Sequence, residues 1–348
     1  MPRNPFSISF GTEPLNYVDR IEEKRQIIED ISNDSPSSHA IIIVGPRGSG
    51  KTVFMTSISN DLSKDEKWLV IDPGPKNNIL ENIASEIYES SKNKFHFVKG
   101  EFSFSFKGIT FSLVGEKPVS TVNTLLKKML DILKKKKIKV LITIDEVDNS
   151  TDMKYFIQEF QSLIRQNYPI RLLMTGLYEN ISKLQDDKSL TFLYRAKKVY
   201  LSPLYVGSIS AQYVKYLGCE RETSIKLAKL TKGYAFAFQV LGYLLFKESK
   251  KDIDDDILME FDYYLSEYVY DKIYYELTTN EQKIVNAIKT DNDIKIKDLI
   301  SRTKMNTSSM NVYRTRLLKK GVLTSNSYGT VCLLFLDLMI ILYISKAY

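Results

Sequence analysis

Gly45-Pro46-Arg47-Gly48-Ser49-Gly50-Lys51-Thr52 sets three glycines, an ammonium group and a hydroxyl within eight residues. The order is G-x-x-x-x-G-K-[ST], and its chemistry is the cradling of phosphate. Glycines let backbone N–H groups turn inward around a β-phosphate. Lys51 reaches the β- and γ-oxygens, and Thr52 offers its hydroxyl to Mg²⁺. Val53 follows directly, in the first turn of whatever element the loop opens. A second pair of reactive side chains, Asp145-Glu146, closes an apolar run. An acid at such a place holds Mg²⁺, usually through water, and the next acid polarises a water for in-line attack on a γ-phosphate. Together the residues describe binding of a nucleoside triphosphate, ATP with Mg²⁺, and its hydrolysis.

Both motifs need particular elements to aim them, and the flanking sequence supplies these. Ala40–Val44 is short, apolar and β-branched, as in a buried strand. After the loop, Val53, Phe54, Ile58 and Leu62 fall close to helical spacing. Ile138–Ile144 reads as the strand that ends in the two acids. Further strands are expected at Trp68–Ile71, Ile170–Met174 and Lys198–Leu201, with helices near 19–31, 79–90 and 152–166. Alternation of this kind predicts an α/β fold, a P-loop NTPase parallel sheet covered by helices on both faces. Phe95 and Phe97, then Phe102, Phe104, Phe106, Ile109, Phe111 and Leu113, alternate with period two. They predict a β-hairpin inserted at about 95–118, either a contact surface or a cover for the flank of the core. Lys134–Lys137 reads as a solvated helix end.

At 348 residues the chain is long enough for two or three domains. Its 43% hydrophobic and 26% charged residues are those of a globular protein rather than a disordered one. Cys219 and Cys332 are too few for a disulfide framework and fit a reducing cytoplasm. His39 and His96, with so few thiols, cannot build a zinc cluster. The first residues lack the apolar stretch of a signal peptide. Val331–Ile344 is apolar but only 14 residues long with Asp337 inside, short of the ~20 that a membrane helix needs. It reads as a buried strand running into a final core helix, and no membrane partner is expected.

Charge divides unevenly. Residues 277–348 carry 11 Lys/Arg against 5 Asp/Glu, whereas the other 276 residues carry 38 against 37. A basic C-terminal fifth points to a polyanion. Residues 205–275 read as an α-helical lid with turns at Gly218 and Gly233. The C-terminal fifth then shows a helix started by Thr278 or Thr279 with Glu281 in its first turn, and a short helix over Ile296–Arg302. A third helix runs from Ser308 to Lys320 and is closed by Gly321, with a hairpin beyond. Three helices and a two-stranded wing predict a winged helix-turn-helix. The domains expected are therefore 1–204, 205–276 and 277–348. Every motif residue precedes Leu277, so the nucleotide site is expected to be complete without the last domain.

The order of these parts resembles the AAA+ ATPases of origin-recognition type and the related STAND signal-transduction ATPases. Tyr17-Val18-Asp19-Arg20-Ile21-Glu22-Glu23 is similar to the family's opening box, which implies that Val18 and Arg20 border the adenine pocket. Gly45–Thr52 resembles Walker A and Asp145-Glu146 resembles Walker B. By the same resemblance Thr175 is a sensor of the γ-phosphate, and Arg195 reaches the nucleotide of a neighbouring subunit in a homo-oligomer or a protein partner. Gly233–Gln239 looks like the motif that opens the sensor-2 helix. The chain departs from the family at Asp19, at Ala235, in having Thr rather than Asn at 175, and in offering no sensor-2 arginine. Those departures imply slow or partner-dependent hydrolysis. Two uses of the winged helix stand open. In one, Ser308, Ser309, Asn311, Arg314, Arg316 and Lys319 read double-stranded DNA, with Tyr328 and Gly329 at the wing tip. In the other, the domain touches protein and the chain is a nucleotide-dependent switch.

Overall fold

The computed structural model describes residues 3–9, 14–75, 77–94, 101–106, 109–113, 121–288, 293–325 and 327–334, with 91–94, 101–106 and 109–113 by backbone only. The chain forms two compact units. One comprises Ile21–Val44 and Phe54–Val199; the other comprises Met1–Arg20, Gly45–Val53 and Tyr200–Tyr348.

The first unit is the α/β core. In chain order it holds α1 (Ile21–Ser32), β1 (Ala40–Val44), most of α2 (Lys51–Ser63), β2 (Trp68–Ile71) and α3 (Ile79–Lys94). The antiparallel pair β3 (Glu101–Phe106) and β4 (Ile109–Leu113) comes next, then α4 (Val122–Lys135), β5 (Lys139–Ile144) and α5 (Thr151–Arg165). β6 (Ile170–Gly176), α6 (Tyr178–Asp186), a 3-10 segment over Lys188–Arg195 and β7 (Lys197–Tyr200) complete it. The expected hairpin is thus present as β3–β4; its turn, Lys107-Gly108, lies outside the described residues, as do Phe95 and Phe97. Five strands form one sheet in the order β2-β5-β6-β1-β7. β2 pairs with β5, β5 with β6 and β6 with β1, all parallel. The Asp-Glu strand and the strand of the glycine loop are therefore not neighbours; β6 runs between them.

All five residues of β1 are buried, and so are all seven of β6. Side chains of a strand alternate between faces, so burial along the whole strand means that both faces are covered. Ala40, Ile42 and Val44 pack in one cluster with Ile83 of α3, Met129 of α4 and Phe156 of α5. Ile41 and Ile43 are buried on the opposite face, outside that cluster. Helix α5 shows the pattern that fits it to a sheet: Met153, Phe156, Ile157, Phe160 and Leu163 are its buried stripe. Its start is fixed by Ser150, whose side chain accepts from the Met153 N–H at 3.2 Å. Lys134–Lys137 are exposed at the end of α4, as the sequence suggests.

The second unit holds the helices α7 (Val206–Leu217), α8 (Arg221–Leu230), α9 (Ala235–Lys247), α10 (Asp255–Leu265) and α11 (Asp271–Tyr275), with a π-helical turn between the last two. α9 is apolar almost all round, with nine buried residues, and the others wrap it. The N-terminal segment closes this cluster. Phe6 is 2% exposed among Tyr213, Tyr216 and Phe238. A Cβ on Gly242 would lie 2.2 Å from its ring, so only glycine leaves the socket that Phe6 fills.

The same unit continues through α12 (Thr279–Ile288), β8 (Ile294–Lys295), α13 (Ile296–Thr303), α14 (Thr307–Lys319), β9 (Leu323–Thr324) and β10 (Thr330–Leu333). The strands form an antiparallel sheet in the order β8-β10-β9. β8 is only two residues long, too short for periodicity to register, and the sequence gives no warning of it. Thr278 and Glu281 form a reciprocal cap: the Thr278 N–H donates to Glu281 Oε2 at 2.8 Å, and the Glu281 N–H donates to Thr278 Oγ1 at 3.4 Å. The expected final helix beyond Leu334 lies outside the described residues. Among the described residues no helix is long and apolar enough to cross a membrane.

Candidate nucleotide-binding site

The glycine loop leaves β1 at Val44 and enters α2 at Lys51. Gly48 and Gly50 take φ of +71° and +87°, the left-handed region that glycine alone enters cheaply. Lys51 is 7% exposed and its Nζ donates to the Pro46 carbonyl at 2.9 Å. Ser49 Oγ donates to the same carbonyl at 2.9 Å. The loop is also bound to the Gly233–Gln239 motif. The Tyr234 hydroxyl donates to the Arg47 carbonyl, and the Phe236 N–H donates to the Gly48 carbonyl at 3.1 Å. A Cβ on Gly48 would meet the Tyr234 hydroxyl at 2.2 Å, which gives that glycine a second reason to be there. Burial pushes the Tyr234 phenol well above its ordinary value, so it stays a neutral donor.

Arg47 makes two bonds to Glu276 Oε1, from Nε at 3.0 Å and Nη2 at 2.8 Å. Val18 is buried in the helical cluster around α9, while Arg20, 8% exposed, points Nη1 at Ser202 Oγ at 3.5 Å. The two members of the opening box thus serve different surroundings.

The acidic pair belongs to the other unit. Asp145 and Glu146 follow the last residue of β5, and Thr175 lies in β6 alongside, fully buried. One hydroxyl serves both acids. Thr175 Oγ1 donates to Asp145 Oδ1 and accepts from the Glu146 N–H at 3.0 Å. The Val147 N–H donates to the Thr175 carbonyl at 2.9 Å. These bonds hold Glu146 at φ +52°, a strained setting for a residue with a Cβ, and leave its side chain exposed. Strain of about 1–3 kcal/mol persists only where neighbours over-determine the backbone, as Thr175 does here.

Sequence reasoning passes over Asp72, which ends β2 beside β5 much as Asp145 ends β5. Desolvation raises its carboxyl above the usual value and the charge of Asp145 adds to the rise, against the Gly74 N–H. Glu86, which accepts the Asp72 N–H at 2.8 Å, is raised too, chiefly by desolvation. A strand ending in an acid was the available signal. Among the described residues no three His, Cys, Asp or Glu side chains gather as a self-sufficient metal site. Thr52 in one unit and Asp145 in the other each carry an oxygen donor of the kind that Mg²⁺ takes.

Residues 17–176 match the family model of an ATPase domain found predominantly in Archaea. The structure is similar to the ORC2 protein of Aeropyrum pernix in its ADPNP–ADP complexes, with a TM-score of 0.56, 13% identity and 98% of each chain covered. The ADP form of that protein gives a TM-score of 0.51 at 13% identity, over 98% of this chain and 97% of the other. No curated protein matches the chain. The chain has the fold of an origin-recognition-type AAA+ ATPase.

The glycine loop follows β1 and the two acids follow β5, as the sequence predicts. Arg195 is exposed at the close of the 3-10 segment before β7. On α14, Ser308, Asn311, Arg316 and Lys319 are exposed together with Val312 and Thr315. Arg314 is set apart from them: it is half-buried, and its Nε is shut off from solvent without a partner among the described residues.

Proposed function

We propose that the chain is an ATPase of three parts, a core at 1–204, a lid at 205–276 and a winged helix-turn-helix at 277–348. It couples Mg-ATP binding and slow hydrolysis to a conformational or assembly change and acts on duplex DNA. In this reading Gly45 to Val53 bind the phosphates, with Lys51 as the compensating charge. Thr52 and Asp145 hold Mg²⁺, and Glu146 takes a proton from the attacking water. Thr175 acts through the two acids, and Arg195 serves a neighbouring subunit. The observation that carries the reading is the single hydroxyl of Thr175 bonded to both the Asp145 carboxylate and the Glu146 backbone N–H. Such an arrangement orients a metal ligand and a base with respect to each other.

Support for the DNA step is the exposed polar face of α14 in a segment of net charge +6. Fluorescence anisotropy with labelled duplex, over a salt series with and without ATP, tests it. Binding whose affinity falls steeply with log salt is expected, and no binding at low salt in either nucleotide state would sink it. A second reading, a nucleotide-dependent switch whose C-terminal part touches protein, draws on the Arg47–Glu276 pair. Through that pair the glycine loop is tied directly to the residue preceding the C-terminal part. The few cysteines support a cytoplasmic location.

A further inference from the structure

Residues 252–271 carry eight Asp or Glu and no Lys or Arg, in a chain whose net charge is +7. Most of them form α10 and the π-helical turn after it. Ile257, Phe261 and Leu265 turn inward to the cluster around α9. The outer side carries two rows at helical spacing. Asp255, Met259, Tyr263 and Glu267 make one row; Asp256, Glu260, Tyr264 and Tyr268 make the other. Met259 and Tyr263, in the middle of the first row, are 66% and 62% exposed. The rings form an ordered ladder: Tyr263 meets Tyr264 edge to face at 6.1 Å, and Tyr264 stacks on Tyr268 at 5.8 Å. Tyr268 leans in turn on Phe236 of α9 at 6.4 Å. Exposed aromatic rings and a methionine grouped on one side are the make-up of a protein interface. The surrounding acids repel nucleic acid and call for a cationic protein surface.

We propose that this side of α10 is the docking surface for the exposed face of α14 in a second copy of the chain. Charge names the occupant first. α14 contains no Asp or Glu, and it exposes Arg316 and Lys319. Asp254 and Glu260 are already bridged to Lys250 and Lys247, at 2.5 and 3.4 Å. Asp255, Asp256 and Glu267 take part in no ion pair among the described residues.

Spacing agrees with charge. Val312, 50% exposed, is the apolar centre of the α14 face, as Met259 and Tyr263 are of the α10 face. At a rise of about 1.5 Å per residue, Lys319 lies about 10 Å along its helix from Val312, and Ser308 about 6 Å the other way. Asp256 and Glu267 lie about 10 Å and about 6 Å to either side of Tyr263 by the same measure. Docked antiparallel, the two helices set Arg316 and Lys319 against Asp255 and Asp256, and Val312 against Met259 and Tyr263. Glu267 then faces the N-terminus of α14, where the helix dipole favours an anion. Both faces are exposed in one chain, and they differ from each other, so the contact is head-to-tail. Such docking needs neither nucleotide nor DNA, and duplex bound to α14 would compete with it.

Sedimentation velocity of the full chain over a concentration series, without DNA, tests the proposal. The sedimentation coefficient of the wild type should rise with concentration. Asp255→Lys/Asp256→Lys reverses the acids of α10, and Arg316→Glu/Lys319→Glu reverses the cations of α14. Either variant alone sets like charges face to face and should weaken self-association at least about tenfold. An equimolar mixture of the two brings opposite charges together again, and should recover association to within about threefold of wild type. Met259→Ser/Tyr263→Ser reaches the same surface without changing charge and should also weaken association about tenfold. A wild type that stays monomeric at every concentration overturns the proposal. So does wild-type association in any of the three variants, and so does a mixture that stays monomeric.

Discussion

In the proposed reading the Lys51 ammonium group is the main compensating charge for the β- and γ-phosphates. Lys51→Ala should remove measurable ATP affinity in a fluorescent-nucleotide titration. Glu146→Gln keeps the volume and the bond from its N–H to Thr175, but removes the base. ATP should bind as before while turnover falls by roughly 10²-fold or more. Equal turnover in the two proteins would place the base elsewhere. Thr175→Val is the sharper test of the acidic pair. It leaves the half-buried Asp145 carboxylate and the Glu146 N–H without their shared partner, at a cost of about 1–3 kcal/mol in stability. Turnover should fall further than nucleotide affinity, because the hydroxyl orients the two acids in the proposed reading. Urea unfolding and steady-state kinetics on the same variant separate the two effects.

Among the elements, two junctions bear most on stability. The first is the Phe6 socket. Gly242→Ala drives a methyl group into a buried ring and should destabilise the second unit by about 1–3 kcal/mol. Phe6→Leu should suppress part of that loss, and a double-mutant cycle by urea denaturation reads the coupling. The second junction is the start of α12. Glu281 is fully buried; its Oε2 accepts from Lys320 Nζ at 2.8 Å and from the Thr278 hydroxyl at 2.9 Å. Burial alone would raise the carboxyl, but Lys320 and Thr278 bring it below its ordinary value. A carboxyl lowered in the folded state stabilises it above about pH 4.5 and loses that contribution as pH falls through the lowered value. Thermal unfolding should therefore show Glu281→Gln destabilised by about 3 kcal/mol at pH 7. The difference from wild type should shrink progressively in acid; a constant difference down to pH 2 would argue against the ion pair.

For the molecule as a whole, the question is what the basic C-terminal part meets. If α14 enters a groove of duplex DNA, Arg316→Ala and Lys319→Ala should each weaken binding. A base contact costs about 1–3 kcal/mol and relaxes sequence preference, whereas a phosphate contact lowers the salt slope by about one for all sequences. Arg314→Ala should act mainly on folding, because its guanidinium stem lies off the exposed face. If neither surface residue matters, the switch reading gains over the DNA reading.

Local sequence determined the glycine loop, the acids at a strand end, and the strands that carry them. Each of these depends on neighbours within a few residues: β-branched runs favour strands, glycines permit positive φ, and apolar residues at helical spacing make a one-sided helix. Thr175, legible as the end of a strand, acquired its partners only through the insertion of β6 between β1 and β5, and no spacing in the chain encodes that order. Asp72 is legible only as the end of a strand; its raised carboxyl comes first from burial and then from the charge of Asp145, and both depend on the tertiary structure. The two-residue β8 is too short to have a period, and exists because β10 offers it hydrogen bonds. Gly321 lies more than 270 residues along the chain from Pro46, whose ring it admits. Contacts at that separation are settled by packing, and tertiary structure alone decides them.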